Sequence, residues 1–228
     1  MSRDIVFIPG ALATSRLWDH QSNYFQNDQH LHFVDVLNSQ SIEEMADRYI
    51  PIAPKKCILI GFSMGGYIAL ELYRLIPERI EKLILINSGA KLISEKGQLE
   101  RERSLDLINN GKFEFLIKLI FKNSIYDKEK HKLLLPLAQK MAQEVGVENY
   151  KNQLNAILNK PDHSSLLPHI RCPTLLIASK EDLVMPNERS EHMAHNIPNS
   201  ELVYLEACGH MAMLERPEKI NQIVKDWM

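Results

Sequence analysis

Short runs of apolar, largely β-branched residues recur along the first part of the chain, and turn-forming residues follow most of them. The runs lie at 5–8, 32–36, 57–60 and 83–86. Apolar runs of this length are typical of strands that are buried on both faces, as in parallel sheets. Between them, Ser41 is expected to cap a helix whose first turn holds Glu43 and Glu44. A second helix is expected over 67–76, and Pro77 ends it. This alternation predicts a parallel sheet of the α/β class.

The pattern changes between residues 91 and 169, where apolar residues recur at helical spacing and no strand-like run is found. The recurring residues are Leu134, Leu137, Met141, Val145, Tyr150, Leu154, Ile157 and Leu158. Strand-like runs resume at 174–178 and 202–205, before an amphipathic helix at 217–227. The sequence therefore predicts an α/β core of residues 1–90 and 170–228 with about six mostly parallel strands. A helical cap is expected to be inserted at 91–169.

Composition and charge indicate which partners the chain can have. Of the 228 residues, 45% are hydrophobic and 25% charged, which suits one large globular domain. The net charge is −2, and the longest basic run is the pair Lys55-Lys56. Neither provides the positive field that attracts nucleic acid or an anionic membrane. We expect the partner to be a small, weakly charged substrate, with no nucleic acid and no membrane.

The features that bear on location favour the cytoplasm. The apolar run at 5–8 is shorter than the roughly 7 to 15 residues of a secretion signal. No stretch reaches the roughly 18 apolar residues of a membrane-spanning helix. Cys57, Cys172 and Cys208 are scattered and odd in number, as expected of reduced thiols.

A nucleophile motif follows the predicted strand at 57–60. Residues 61–65, Gly-Phe-Ser-Met-Gly, match the pattern G-x-S-x-G at the point where a strand ends and a helix begins. Because the bare pattern arises by chance in roughly one chain in ten of this size, the strand-to-helix context carries the inference. Glycines relieve the crowding of so sharp a turn, and the strained serine presents its hydroxyl to a substrate. We expect Ser63 to be a nucleophile, and the alternative is an ordinary glycine-rich turn.

Two further residues can complete a catalytic set with this serine, which needs a base and a carboxylate that orients the base. His210 follows the last predicted strand and Asp182 follows the strand before it, so both are expected at the carboxyl edge of the sheet. Most of the other histidines are interpreted as surface or capping residues. Glu181 and Asp162 stay open as alternative acids. Asp182 is preferred because it lies in the loop before Pro186, whereas Glu181 is expected to point to solvent.

Two backbone N–H groups are expected to bind the oxyanion that forms when a serine attacks a carbonyl. One belongs to Met64, the residue after the nucleophile. The other is assigned to Ala11, because Gly10 before it allows a close approach of the backbone. A plain Pro-Gly turn is the alternative for that loop.

Taken together, these residues resemble the α/β-hydrolase superfamily, in its small capped branch of esterases, enol-lactonases, C–C hydrolases and cofactor-free haloperoxidases. The resemblance spans nearly the whole chain and rests on 10–18, 61–66, 87–88, 172–174, Asp182 with Pro186, 209–210 and 215–217. It implies the α/β-hydrolase fold and a Ser-Asp-His triad. The chain departs from the family at Pro9, where many relatives carry histidine. It also begins at what resembles the third strand of the fold, so six parallel strands are expected rather than eight.

The function expected from these residues is hydrolysis of a small carboxylic ester or lactone through an acyl-Ser63 intermediate. Residues 113–121, rich in Leu, Ile and Phe, are expected to form an apolar lid. A thioesterase, a C–C bond hydrolase and a perhydrolase with the same triad stay open, as does a catalytically silent ligand receptor.

Neither a metal nor a cofactor is expected. The histidine pairs 30/32 and 192/195 have no third ligand nearby, and 61–66 lacks the lysine and the spacing of a phosphate-binding loop. Cys208 is interpreted as a packing residue.

Overall fold

Six parallel strands form a single sheet in the computed structural model of the protein, which describes residues 2–228. The strands are β1 (Asp4–Ile8), β2 (His30–Phe33), β3 (Cys57–Phe62), β4 (Ile80–Ile86), β5 (Thr174–Ser179) and β6 (Ser200–Leu205). Their order across the sheet is β2-β1-β3-β4-β5-β6, and every neighbouring pair is parallel. The predicted α/β fold with six parallel strands is confirmed.

Strand β2 begins and ends earlier than the apolar run at 32–36 predicted. His30 already pairs with Asp4 of β1, whereas the strand ends at Phe33. Val34 and Val36 lie beyond that end, yet both are buried in the core. The apolar pattern therefore reported burial correctly at these two valines, and burial does not require strand geometry.

Nine α-helices surround the sheet within the described residues. They are α1 (Asp19–Phe25), α2 (Ile42–Tyr49), α3 (Met64–Leu75), α4 (Glu95–Asn109), α5 (Phe113–Ser124), α6 (Lys128–Leu158), α7 (Glu188–Asn196), α8 (Ala212–Glu215) and α9 (Pro217–Trp227). Ser41 caps α2 as predicted, since its side chain accepts a hydrogen bond from the backbone N–H of Glu44. None of the helices formed by residues 2–228 has the length and apolarity needed to cross a membrane.

Both faces of the central strands β1, β3, β4 and β5 are buried, because successive strand residues point to opposite faces and most of them are apolar. On β1, Val6 and Ile8 join the core beneath α2, α3 and α7. Ile5 and Phe7 join a second core, which includes Trp18 and residues of α8 and α9. This double burial fixes the register of the strands, since a shift by one residue would exchange the two faces.

Helices α4, α5 and α6 lie between β4 and β5 along the chain, and they enclose a smaller core of their own. Gly146 interrupts α6 with a φ of 75° and a ψ of 165°, so the helix is kinked there. Because β4 and β5 are parallel neighbours, the chain must return across the sheet before β5. The return begins where His163 N–H bonds to the Ala90 carbonyl at 2.9 Å, and Leu167 and Ile170 along it are fully buried. Residues 163–169 of the predicted insertion therefore pack against the sheet.

Candidate active site

Ser63 lies in a strained turn between β3 and α3, with φ 52° and ψ −116°. Gly61 and Gly65 flank the serine, and a side chain at either position would collide with the backbone. A Cβ on Gly61 would lie 2.6 Å from the Gly65 carbonyl oxygen, and one on Gly65 would lie 2.3 Å from the Ile8 carbonyl oxygen. A positive φ is costly for a serine, and it is maintained here by the packing on both sides. Ser63 lines two adjoining cavities.

The structure brings the three predicted site residues together. His210 Nε2 is 3.0 Å from Ser63 Oγ, and His210 Nδ1 is 2.7 Å from Asp182 Oδ2. With Nδ1–H donating to the carboxylate, Nε2 is left to accept a hydrogen bond from the serine hydroxyl. The Asp182 side chain is fully buried, and its Oδ1 accepts backbone N–H groups from Val184 and Met185 at 2.7 and 2.9 Å.

The alternative carboxylates do not contact the histidine. Glu181 was expected to point to solvent, and this expectation is wrong: its Oε2 accepts the Cys208 N–H at 3.0 Å and so fixes the segment that leads to His210. Asp162 is exposed, and its Oδ1 accepts the Ser164 N–H at 2.8 Å. Of the three acidic residues considered from the sequence, Asp182 alone bonds to the imidazole.

The loop after β1 runs directly beside Ser63. A Cβ on Gly10 would lie 3.2 Å from Ser63 Cβ and 2.9 Å from the Phe62 ring, so a side chain at this position would push the loop away. Ala11 follows and lines the larger cavity together with Ser63. Within residues 2–228, neither the Ala11 nor the Met64 backbone N–H has a protein acceptor. Both N–H groups are therefore free to donate a hydrogen bond to a ligand beside Ser63.

Asn87 holds the backbone of the histidine loop, a contact the sequence interpretation missed. Its Nδ2 donates to the His210 carbonyl at 2.7 Å and to Ser179 Oγ at 3.0 Å, while its Oδ1 accepts the Ser179 N–H at 2.8 Å. Asn87 is buried with a φ of 46°. Its place directly after β4, at the carboxyl edge of the sheet, was the available signal.

Glu215 makes a second set of contacts that the sequence did not predict. Its carboxylate is fully buried and accepts three backbone N–H groups, from Gly209 at 2.8 Å, Asp127 at 2.7 Å and Tyr126 at 3.2 Å. Gly209 precedes His210, whereas Tyr126 and Asp127 join α5 to α6. One carboxylate thus links the histidine loop to the helices above the sheet.

The larger cavity has a volume of about 390 Å³ and extends from Ser63 and His210 beneath α5 and α6. Apolar side chains of these two helices form much of its wall: Leu116, Ile117, Leu119, Ile120, Phe121, Met141, Leu154 and Ile157. Within the predicted lid at 113–121, the residues that line the cavity lie between Leu116 and Phe121, and the lid role stays a prediction. A cavity of this size is within the range of sites for small organic ligands.

The remaining candidate groups play no part in this arrangement. Burial raises the pKa of Cys208 to about 11, so its thiol stays protonated and unreactive. Within residues 2–228, no three His, Cys, Asp or Glu side chains come together as a metal site. All three cysteines are free thiols. The cytoplasmic location stays a prediction.

A parallel sheet that presents a serine at a strand-to-helix turn, with histidine and aspartate in the loops after later strands, is the arrangement found in α/β-hydrolases. Residues 5–223 match the sequence model of the alpha/beta hydrolase family. The chain belongs to this family and is a hydrolase.

Individual relatives agree with this assignment. The protein named "Putative carbamate hydrolase RutD" from Yersinia enterocolitica is 30% identical over 210 residues, which cover 91% of this chain and 71% of the relative. An esterase from Exiguobacterium antarcticum superposes with a TM-score of 0.88 at 20% identity, covering 99% of this chain and 91% of the esterase. An enol-lactonase from Burkholderia xenovorans has a TM-score of 0.88 at 18% identity, covering 100% and 91%. At these identities the two structures show a shared fold.

Proposed function

We propose that the protein is a serine hydrolase that cleaves a small carboxylic ester or lactone through an acyl-Ser63 intermediate. The observation that carries the proposal is the continuous hydrogen-bonded series from Asp182 Oδ2 through both His210 nitrogens to Ser63 Oγ. A serine hydroxyl is a weak nucleophile, and a base at 3.0 Å that is itself oriented by a buried carboxylate is what activates it.

The proposed reaction has two halves. Ser63 Oγ attacks the carbonyl carbon while His210 Nε2 accepts the hydroxyl proton, and the carbonyl oxygen becomes an oxyanion. The tetrahedral intermediate then collapses, the alkoxide leaves, and His210 returns the proton to it. Water next attacks the acyl-enzyme with His210 again as base, which releases the carboxylic acid and restores Ser63. Asp182 stabilises the imidazolium that forms in each half.

The Ala11 and Met64 N–H groups are proposed to bind the oxyanion. Both are without a protein acceptor and adjoin the serine, so they can donate without first breaking another hydrogen bond. Removing one donor of such a site typically lowers kcat by about 10²- to 10³-fold. The backbone of Gly10 is part of this site, because it sets how closely the Ala11 loop approaches.

Helices α4 to α6, within residues 91–169, are proposed to act as a cap that receives the apolar part of the substrate. The apolar wall of the larger cavity supports this role. The cap also excludes water from the serine, which strengthens the electrostatic contacts formed in the transition state.

A carbamate is the second candidate substrate. Its carbonyl can be attacked by the same serine, and the Yersinia relative carries the name of a carbamate hydrolase at 30% identity. Thioester hydrolysis, C–C bond cleavage, perhydrolysis and ligand reception are also compatible with the fold, and no contact in the site favours any of them.

A matched substrate series separates the two candidates. We expect p-nitrophenyl acetate and p-nitrophenyl butyrate to be hydrolysed with a kcat/KM at least about tenfold above that of p-nitrophenyl N-methylcarbamate, and Ser63→Ala to abolish both activities. A higher kcat/KM for the carbamate would replace the ester proposal with the carbamate one. If Ser63→Ala hydrolysed either substrate at the wild-type rate, both the ester and the carbamate proposals would be contradicted.

A further inference from the structure

A second, smaller cavity of about 110 Å³ contacts Ser63 on the side of Met64. It adjoins the larger cavity, since Arg101, Ile157 and Val184 line both. Ligand sites usually enclose about 300 to 1,000 Å³, so this space fits a substituent of a molecule rather than a whole one. A substrate whose carbonyl lies at Ser63 can extend into both cavities at once.

The lining of the smaller cavity is more cationic than that of the larger one, whose charged residues are Glu100, Arg101 and Arg103. Lys96, Arg101, Lys160 and Arg189 all contribute to it. Among the described residues that line it, Glu100 is the only carboxylate, and it pairs with Arg101 at 3.0 Å. The salt bridges formed within residues 2–228 include none to the other three cations. The residues that line the cavity therefore carry an excess of positive charge, and three of the four cations form no salt bridge with the described residues.

Lys160 is the buried member of this group, with 5% of its surface exposed. Its Nζ donates to the Lys91 carbonyl and lies 4.3 Å from the centre of the Tyr67 ring. Burial, followed by the charge of Arg189, lowers the pKa of Lys160 to about 7. Asp162 favours the charged form of Lys160 but forms no salt bridge with it. An enclosed cation without an ion pair is unfavourable, and a bound anion would compensate it.

We propose that the smaller cavity binds a carboxylate group of the substrate, so that the preferred substrates are small esters or lactones that also carry a free carboxylate. This inference rests on the proposed function, because it assumes that the reacting carbonyl lies at Ser63. Lys160 supplies the buried charge at the base of the site, while Arg101 and Arg189 provide planar donors that match a carboxylate. The hydrocarbon part of the substrate then occupies the larger, apolar cavity.

The first test measures binding without turnover, in Ser63→Ala. Isothermal titration at about pH 7 compares the monomethyl esters of malonic, succinic, glutaric and adipic acid with the corresponding dimethyl esters. We expect at least one monoester to bind about tenfold or more tightly than its neutral diester, as a charge-assisted hydrogen bond implies. If no monoester binds more tightly than its diester, the inference is wrong.

The second test assigns the preference to the cavity. In the same background, Lys160→Met and Arg189→Gln should each reduce the preference for the monoester by about tenfold. Lys151→Met is the matched control, since Lys151 lies on α6, pairs with Glu148 and does not line the cavity. An equal loss in Lys151→Met, or no loss in either cavity variant, would contradict the assignment.

The pH dependence gives a readout that a merely structural lysine would not produce. In the free protein, burial is the main effect that disfavours the charged form of Lys160. Arg189 and Arg101 disfavour it further and Asp162 favours it, with a resulting pKa of about 7. A bound carboxylate raises this pKa, so binding takes up a proton above about pH 7. We expect the monoester Kd in Ser63→Ala to increase about fivefold or more between pH 7 and pH 8.5, and to change less than about twofold once Lys160→Met is added. A Kd with the same pH dependence in both proteins would overturn the role of Lys160.

The two proposals can fail separately. If Ser63→Ala binds the monoesters but the wild type hydrolyses no ester, the proposed reaction is wrong and the carboxylate site stands. If esters are hydrolysed but monoesters are neither preferred nor bound, the carboxylate site alone is wrong.

Discussion

Asp182 divides its two carboxylate oxygens between two tasks. Oδ2 bonds to His210, while Oδ1 accepts the N–H groups of Val184 and Met185 and so fixes the plane of the carboxylate. The side chain is inaccessible to solvent. A carboxylate held in this way sets the tautomer of the imidazole and stabilises its charged form, which is the electrostatic requirement of the proposed reaction.

Replacing this carboxylate by an amide should therefore disable the histidine without removing the side chain. We expect Asp182→Asn to lower kcat for p-nitrophenyl butyrate by about 10⁴-fold. Asp162→Asn is the matched control, because Asp162 also accepts the N–H of the residue two positions later but lies away from the imidazole. It should cost less than about threefold. Steady-state kinetics on variants with native circular dichroism makes the comparison. Near wild-type turnover by folded Asp182→Asn would exclude Asp182 as the acid.

At the scale of elements, the loop between β6 and α8 carries His210 and is held from three directions. Asn87 binds its backbone from the end of β4, Glu181 binds it from the loop after β5, and Glu215 binds it from α8. Glu215 also accepts two N–H groups at the junction of α5 and α6. Of these three residues, Glu215 is the one that also links the histidine loop to α5 and α6.

The contribution of Glu215 to stability can be measured by replacing one of its two carboxylate oxygens. In Glu215→Gln an NH₂ group replaces one oxygen, so at least one buried backbone N–H loses its partner. We expect the free energy of unfolding to decrease by about 1 to 3 kcal/mol. Urea denaturation gives this value, with Glu218→Gln as the control, because Glu218 is exposed on the next helix. Equal stability of Glu215→Gln and the wild type would show that the three hydrogen bonds do not hold the loop.

The sequence predicted the features that neighbouring residues determine better than those that depend on residues distant along the chain. The strands follow from their apolar runs, and Ser63, Asp182 and His210 follow from their places after strands, since the ends of parallel strands meet at one edge. The roles of Glu215 and Lys160 could not be predicted, because their partners lie far away along the chain. An isolated glutamate or lysine in a helical pattern is ordinarily interpreted as solvated. Val34 and Val36 show the converse case, in which local pattern reports burial but not backbone geometry.

At the scale of the whole molecule, Ser63 lies where the sheet meets the helices between β4 and β5. The sheet supplies Ser63, Asp182 and His210 at its carboxyl edge, and the helices close an apolar cavity of about 390 Å³ over them. The smaller cationic cavity, which we propose as a carboxylate site, also contacts Ser63. The proposed function depends on Ser63 being a nucleophile that His210 activates.

That dependence can be tested directly by covalent trapping. A fluorophosphonate reacts only with an activated serine, and tryptic digestion isolates Ser63 in the peptide 57–74, where it is the one serine. We predict that mass spectrometry finds one phosphonyl group per chain, located on that peptide. Ser63→Ala should not be labelled, and labelling of Asp182→Asn should be at least about 100-fold slower. A native protein that is not labelled, or that is labelled equally fast in Asp182→Asn, would contradict the account.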